Sequence, residues 1–143
     1  MTQDLKTLLW LSRPLMQRIE AKIETDLTGT GLTVRMRAVL EILAERGPLP
    51  VPDIAHALEV QRQYVQVMVN DTLSAGLTEK RPNPRHARSP LIALTETGQT
   101  LIDEVLAKEA QTVAALAEGL DDADIATALR VARHCHQILR DMT

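Results

Sequence analysis

Aromatic residues are almost missing from this chain: one Trp (Trp10), one Tyr (Tyr64) and no Phe in 143 residues. The core must therefore be assembled from Leu, Ala, Ile, Val and Met, mostly good helix formers, which argues against a sandwich or barrel. Cysteine is equally scarce. Cys135 alone excludes an intramolecular disulfide framework and a multi-cysteine zinc site. Long hydrophobic runs are absent too: the longest, Val113 to Ala117, is far short of the ~20 residues a membrane span needs. No short apolar segment follows a basic N-terminus as in a signal peptide, so the expected compartment is the cytoplasm, with no membrane partner. What remains is a chain with 45% hydrophobic and 24% charged residues, enough to bury the core of one ordinary globular domain.

The formal charge of −3 conceals an asymmetry. Between Arg62 and Pro90 stand five Lys or Arg (Arg62, Lys80, Arg81, Arg85, Arg88) and two acids (Asp71, Glu79), a local +3 against −6 elsewhere. An acidic protein with one basic segment is not a general polycation. It can still present a focused positive surface to a phosphate backbone.

Hydrophobic spacing sets out the order of elements. Leu5, Leu8, Leu9, Met16, Ile19, Ile23 and Leu27 follow three- and four-residue steps, predicting a long amphipathic helix from Gln3 to about Thr28, capped by Thr2 or Asp4 and interrupted by Pro14. Its length of ~39 Å exceeds the needs of a small lobe, so part of its apolar stripe should face another chain. Gly29-Thr30-Gly31 ends it, and Thr33 caps a second helix reaching Glu45 or Arg46. A very short strand is expected at Leu49-Pro50-Val51. Pro52 then opens a helix through Leu58, and after a Glu59-Val60 turn another helix runs from Gln61 to Ala75 before Gly76. In that helix Val65, Met68, Val69 and Thr72 or Leu73 share the inner face, leaving Gln61, Arg62, Gln63, Gln66 and Asn70 outside. Two short strands, Leu77 to Arg81 and Leu91 to Leu94, flank a loop kept irregular by Pro82, Pro84 and Pro90. Thr95 and Asp121 are expected to cap two final helices, through about Glu118 and Arg140. The fold class is thus mainly α with a small β-hairpin.

Helix, tight turn, helix and basic hairpin in that order form a winged helix-turn-helix. Its second helix would enter the major groove, where Gln can pair with adenine edges and Arg with guanine or phosphate. The bland alternative is a solvated helix beside a surface loop. Particular stretches resemble the MarR (multiple antibiotic resistance regulator) family of transcription factors. These are Gly31-Leu32-Thr33 before the helix ending Leu40-Glu41-Ile42-Leu43, Asp53-Ile54-Ala55-His56-Ala57-Leu58, Val65 through Ala75-Gly76-Leu77, and Arg81-Pro82-Asn83-Pro84 with Arg88. Leu94-Thr95-Glu96-Thr97-Gly98 is the most specific of them.

The resemblance implies a homodimeric, cytoplasmic, effector-responsive repressor of transcription. It would bind a pseudo-palindromic operator in double-stranded DNA and need no cofactor. Residues 1–143 would form one winged-helix protein, with 1–30 and 96–143 as dimerisation helices and 32–95 as the DNA-binding winged helix. The expected DNA-binding residues are Gln61, Arg62, Gln63, Tyr64, Gln66, Arg81, Arg85 and Arg88. The sequence departs from the family at the wing tip, where His86 replaces an acid that orients the arginine, and at Val67 and Thr72.

Trp10 and Arg13, three apart, share a helix face. They are read first as a dimer-core anchor with a solvated neighbour, and second as the lining of a small-molecule effector pocket. Met16 and Met36 are read as core, and His56 as a surface side chain. His134, Cys135 and His136 are adjacent on a helix, point ~100° apart and cannot converge on one metal ion. Asp121, Asp122 and Asp124 open a helix rather than form a calcium loop. No phosphate-binding loop, dinucleotide fingerprint, zinc-protease motif or nucleophile elbow occurs, so no catalytic or metal residue is assigned and the chain is read as a non-enzyme. The competing function is a helical dimeric protein-interaction module of the same fold that does not bind an operator.

Overall fold

The computed structural model describes residues 1–143. Six helices and three strands follow in the order α1 (Thr2–Leu27), α2 (Val34–Arg46), β1 (Leu49–Pro50), α3 (Val51–Leu58), α4 (Arg62–Ser74), β2 (Thr78–Arg81), β3 (Leu91–Leu94), α5 (Glu96–Ala117) and α6 (Asp122–Met142). They make two compact units, Met1–Glu109 and Ala110–Thr143, divided within α5.

The first unit is organised around α2. Thr33 caps this helix as its sequence suggests, its hydroxyl accepting from the Met36 amide at 3.1 Å. One side of α2 supplies Val39, Ile42 and Leu43 to a core completed by Ile54 and Ala55 of α3, Val65, Met68 and Val69 of α4, and Ile92 of β3. Its other side supplies Met36 and Leu40 to a second cluster with Leu27, Leu32, Leu77, Ile102 and Val105. Each buried aliphatic side chain contributes about 1.5–3 kcal/mol of transfer free energy, so aliphatic packing replaces the aromatic anchors the chain lacks.

Between α3 and α4 the chain reverses at Glu59, whose φ of 54° makes it the one non-glycine residue in the left-handed region. Beyond α4, β2 pairs with β3 so that Thr78 faces Leu94 and Arg81 faces Leu91. The sheet has one strand more than the hairpin expected, because Leu49 and Pro50 pair with Ile92 and Leu91 on the other edge of β3. Val51, expected at the end of that strand, is instead the first residue of α3.

The Leu94-Thr95-Glu96-Thr97-Gly98 signature acquires a physical reason here. The Thr95 amide donates to the Leu77 carbonyl, its hydroxyl donates to the Gly76 carbonyl at 2.7 Å, and the same hydroxyl oxygen accepts from the Gly98 amide at 3.1 Å. This places Gly98 directly against the Leu77 carbonyl, where a Cβ would overlap the oxygen. The signature therefore ties the end of α4, the start of β2 and the start of α5 into one joint.

Two expectations for α1 are corrected. The helix begins at Thr2 behind Met1, whose carbonyl accepts from the Leu5 amide, so neither Thr2 nor Asp4 acts as its cap. It also continues through Pro14, which costs it the hydrogen bond to the Trp10 carbonyl but does not end it. Met36 is buried as expected, whereas Met16 is 53% exposed. Leu5, Leu8, Leu11, Leu15 and Ile19 of α1 also remain exposed.

In the second unit, Asp121 caps α6 by accepting from the Ala123 amide. No residue of α6 is buried, and Ile125, Leu129, Ile138 and Leu139 are exposed. No helix is long and apolar enough to cross a membrane.

Candidate nucleic-acid interface

Helix α4 has one buried face and three exposed longitudinal strips. Val65, Met68, Val69 and Thr72 are buried, and everything from Gln61 to Tyr64 is exposed. At about 100° per residue, Arg62 and Gln66 lie on one exposed flank, Gln63, Val67 and Asn70 along the outer ridge, and Tyr64 and Asp71 on the opposite flank. Thr72 is a polar residue at an inner position, and its hydroxyl is fully used. It donates to the Val69 carbonyl at 2.8 Å and shares a 2.9 Å hydrogen bond with the Thr78 hydroxyl on β2. That buried pair fixes α4 against the strand that begins the wing.

The wing is the loop between β2 and β3. The departure at His86 leaves Arg88 without an orienting acid, yet the loop is tied internally by Asn83. The Asn83 side chain donates to the Ser89 carbonyl at 2.8 Å and accepts from the Arg85 amide at 3.1 Å, while its carbonyl accepts from the His86 amide. The Asn83 amide thus bridges both sides of the loop.

Arg62 and Gln66 of α4 and Lys80, Arg85 and Arg88 of the wing border a single open concavity of about 880 Å³. Asp53, at the start of α3, is the only acid on its rim. Arg62, Lys80, Arg85 and Arg88 are exposed and form no intramolecular ion pair, so their charge is available to solvent. Arg81 differs. Its guanidinium grips Glu79 at 2.9 Å on the same strand, which cancels much of the charge assigned to it from sequence. Gln66 donates to Asn70 at 3.0 Å, one turn further along α4, so the two amides form an oriented pair. Gln61 and Gln63 are exposed at the start of the helix.

Tyr64 is turned away from the concavity. Arg35, in the first turn of α2, stands over its ring with the guanidinium carbon 5.1 Å from the centroid. Trp10 and Arg13 lie apart from all these groups on the exposed surface of α1, with Trp10 71% exposed. His56 is exposed and Cys135 is half-buried. No group of three or more His, Cys, Asp or Glu side chains is placed to hold a metal ion.

Four residues escaped assignment from sequence. Val67 enters the sequence reading only as a departure from the family, yet it is 53% exposed on the outer ridge. Asn70 is read from sequence as lying on the outer face of the helix without a role, and Lys80 only as charge. Arg35 carried no local signal, because its partner Tyr64 belongs to a different helix.

Comparison with known proteins identifies the fold and the family. A model of the MarR family matches residues 30–89. A crystal structure of a MarR family transcription regulator superposes with a TM-score of 0.89 at 31% identity, covering 99% of this chain and 93% of that one. Streptococcus pneumoniae FabT, crystallised in complex with DNA, shares the fold at a TM-score of 0.81 and 14% identity, over 97% of this chain and 99% of that one. An uncharacterized protein of Mycobacterium tuberculosis is 38% identical over 85 residues, 59% of each chain. The transcriptional repressor MdtR of Bacillus subtilis is 29% identical over 93 residues, 65% of this chain. The chain thus spans 59% and 60% of the lengths of these two relatives.

Proposed function

Because the chain belongs to the MarR family of transcription regulators, we propose that it is a homodimeric, effector-responsive repressor that binds a pseudo-palindromic operator in double-stranded DNA. The observation that carries this reading is the convergence of Arg62, Gln66, Lys80, Arg85 and Arg88 on one concavity with a single acid at its edge. In an overall acidic protein, that local field has an obvious partner in a phosphate backbone.

The division of labour follows from the strips of α4. Arg62 and Gln66, with Gln63 and Gln61, read base edges in the major groove, Arg toward guanine and Gln toward adenine. The Gln66–Asn70 hydrogen bond holds the Gln66 amide in one orientation, and Val67 offers an apolar contact to a thymine methyl. Arg85, Arg88 and Lys80 meet phosphates or the neighbouring minor groove. The Arg81 contribution is reduced by its bond to Glu79.

Dimerisation is supported by what the single chain leaves uncovered. Leu5, Leu8, Leu11, Leu15 and Ile19 on α1, and Ile125, Leu129, Ile138 and Leu139 on α6, are apolar, helically spaced and exposed. A second copy covers them, with Trp10 as an anchor and Arg13 beside it. Two recognition helices then lie about one DNA turn apart, in successive major grooves. A small-molecule effector that alters their separation prevents both from docking together, and so lifts repression. In this reading the protein acts as a cytoplasmic regulator and not as an enzyme, as its kinship with transcription regulators supports.

The reading is tested by titrating the protein with duplex DNA over a range of salt. Roughly six to eight phosphate contacts per dimer predict a slope of log affinity against log salt near −5 to −7. A flat dependence would instead fit a protein-interaction module that has kept the fold and lost the operator.

A further inference from the structure

We propose that Arg35 is a second phosphate clamp, held in position by Tyr64, on the flank of α4 opposite the wing. The inference rests on the operator-binding reading and adds a contact to it.

The wing and its cations border the flank of α4 that carries Arg62 and Gln66. Tyr64 and Asp71 mark the other flank, seven residues apart on the same helix face. A recognition helix lying in the major groove has a phosphate backbone on each side, so a wing on one flank leaves the other strand to be met by something else. Arg35 is the cation at that position. It is exposed, makes no ion pair, and lies 5.1 Å above the Tyr64 ring.

The stacking suits this role. A guanidinium lying over an aromatic ring retains its N–H groups for two parallel hydrogen bonds to phosphate oxygens. It is also partly ordered before DNA arrives, which lowers the entropic cost of the contact. Tyr64 therefore acts as a positioning residue rather than a base reader, which reassigns it within the set expected from sequence.

The acids nearby define where the phosphate must approach. Glu24 and Asp71 border the depression of about 510 Å³ that Arg35 also lines, between the end of α1 and the start of α2. That depression is too acidic for an anion. The phosphate therefore meets Arg35 from its outer side, over the Tyr64 ring.

The experiment is a fluorescence-anisotropy titration of the full chain with a selected operator duplex and a random duplex, across a range of salt. The variants are Arg35→Ala, Arg35→Lys, Tyr64→Phe and Tyr64→Ala. One phosphate per protomer predicts that Arg35→Ala weakens both duplexes by the same factor, about tenfold at low salt, and makes the salt slope shallower by about two per dimer. Arg35→Lys keeps the slope and loses part of the affinity. Tyr64→Phe keeps the ring and behaves as the wild type, while Tyr64→Ala falls between the wild type and Arg35→Ala. Wild-type affinity and slope in Arg35→Ala would overturn the clamp and leave the operator reading intact. So would a loss confined to the selected duplex, which would make Arg35 a base reader. A wild-type protein that binds neither duplex would overturn the operator reading and the clamp together.

Discussion

Arg37 on α2 pairs with Glu109 on α5, and its second terminal nitrogen holds Glu41 at 2.8 Å on its own helix. The guanidinium is nearly buried, with its side chain 10% exposed, while both carboxylates are about 40% exposed. The Nε group is buried without a hydrogen-bond partner. Charge at this position is therefore held between two half-solvated acids, while one N–H is desolvated and left unbonded. Replacing such a network by an apolar side chain of similar length is often neutral or stabilising, whereas truncation loses both packing and hydrogen bonds. Arg37→Met is expected to lie within about 1 kcal/mol of the wild type, and Arg37→Ala to lose about 2–3 kcal/mol. Urea unfolding at one fixed protomer concentration measures both. Equal large losses would show that the charges themselves stabilise the joint.

Gly98 sits where α5 meets the Leu77 carbonyl, with no room for a Cβ. Gly98→Ala must displace backbone rather than a flexible side chain, and a loss of about 3 kcal/mol or more is expected. Gly119 provides the contrast. Its φ is +80° but it faces open space, so Gly119→Ala should lose only about 1–2 kcal/mol from left-handed strain. Thermal unfolding of the two variants side by side checks the ordering, and similar shifts would remove the steric account of the signature.

The Thr72–Thr78 pair should respond asymmetrically. Thr72→Val strands the buried Thr78 hydroxyl without the partner seen here, at a cost of about 1–3 kcal/mol. Thr78→Val leaves Thr72 still donating to the Val69 carbonyl, so its cost should be about 1 kcal/mol or less. A double-mutant cycle reads the coupling directly. Equal single-variant losses with no coupling would mean that the hydroxyl pair contributes nothing beyond volume.

Much of the winged helix was legible because its punctuation is local. Thr33, Asp121 and Thr95 each accept from an amide two or three residues ahead, and Gly47 and Gly76 take the positive φ that lets a helix end. The inner face of α4 followed from its spacing, which left Thr72 and Leu73 as alternatives for its last position; Thr72 is the buried one. The third strand was only half visible, since β1 exists through pairing with β3 and not through two residues of its own. The candidate interface was legible as composition but not as arrangement. Arg62, Gln66, Arg85 and Arg88 do come together, but the quenching of Arg81 by Glu79 and the turn of Tyr64 toward Arg35 depend on side-chain placement. The start of α1 was misjudged because Met1, which has no side-chain oxygen to accept from the first amides, occupies the cap position expected for Thr2 or Asp4.

Readers and clamps should separate in binding experiments. Arg62→Ala and Gln66→Ala are each expected to weaken specific binding by about 1–3 kcal/mol and to change the preferred bases, while Arg85→Ala weakens binding to all duplexes alike. Asn70→Ala should resemble a weakened Gln66→Ala, because it removes the acceptor that orients the Gln66 amide. Titration of each variant against the selected duplex and single-base variants of it distinguishes the classes. Equal losses on specific and random DNA for Arg62, Gln66 and Arg85 would contradict the division.

The central claim is that two copies of the concavity formed by α4 and the wing read one operator. Selection of the purified protein against a random duplex library tests it most directly. The account predicts enrichment of an inverted repeat whose half-sites lie about 10 bp apart, one turn of DNA. A library that returns no enriched sequence, from a protein that also fails to bind duplex at low salt, would contradict it and leave the winged helix as a fold serving another partner.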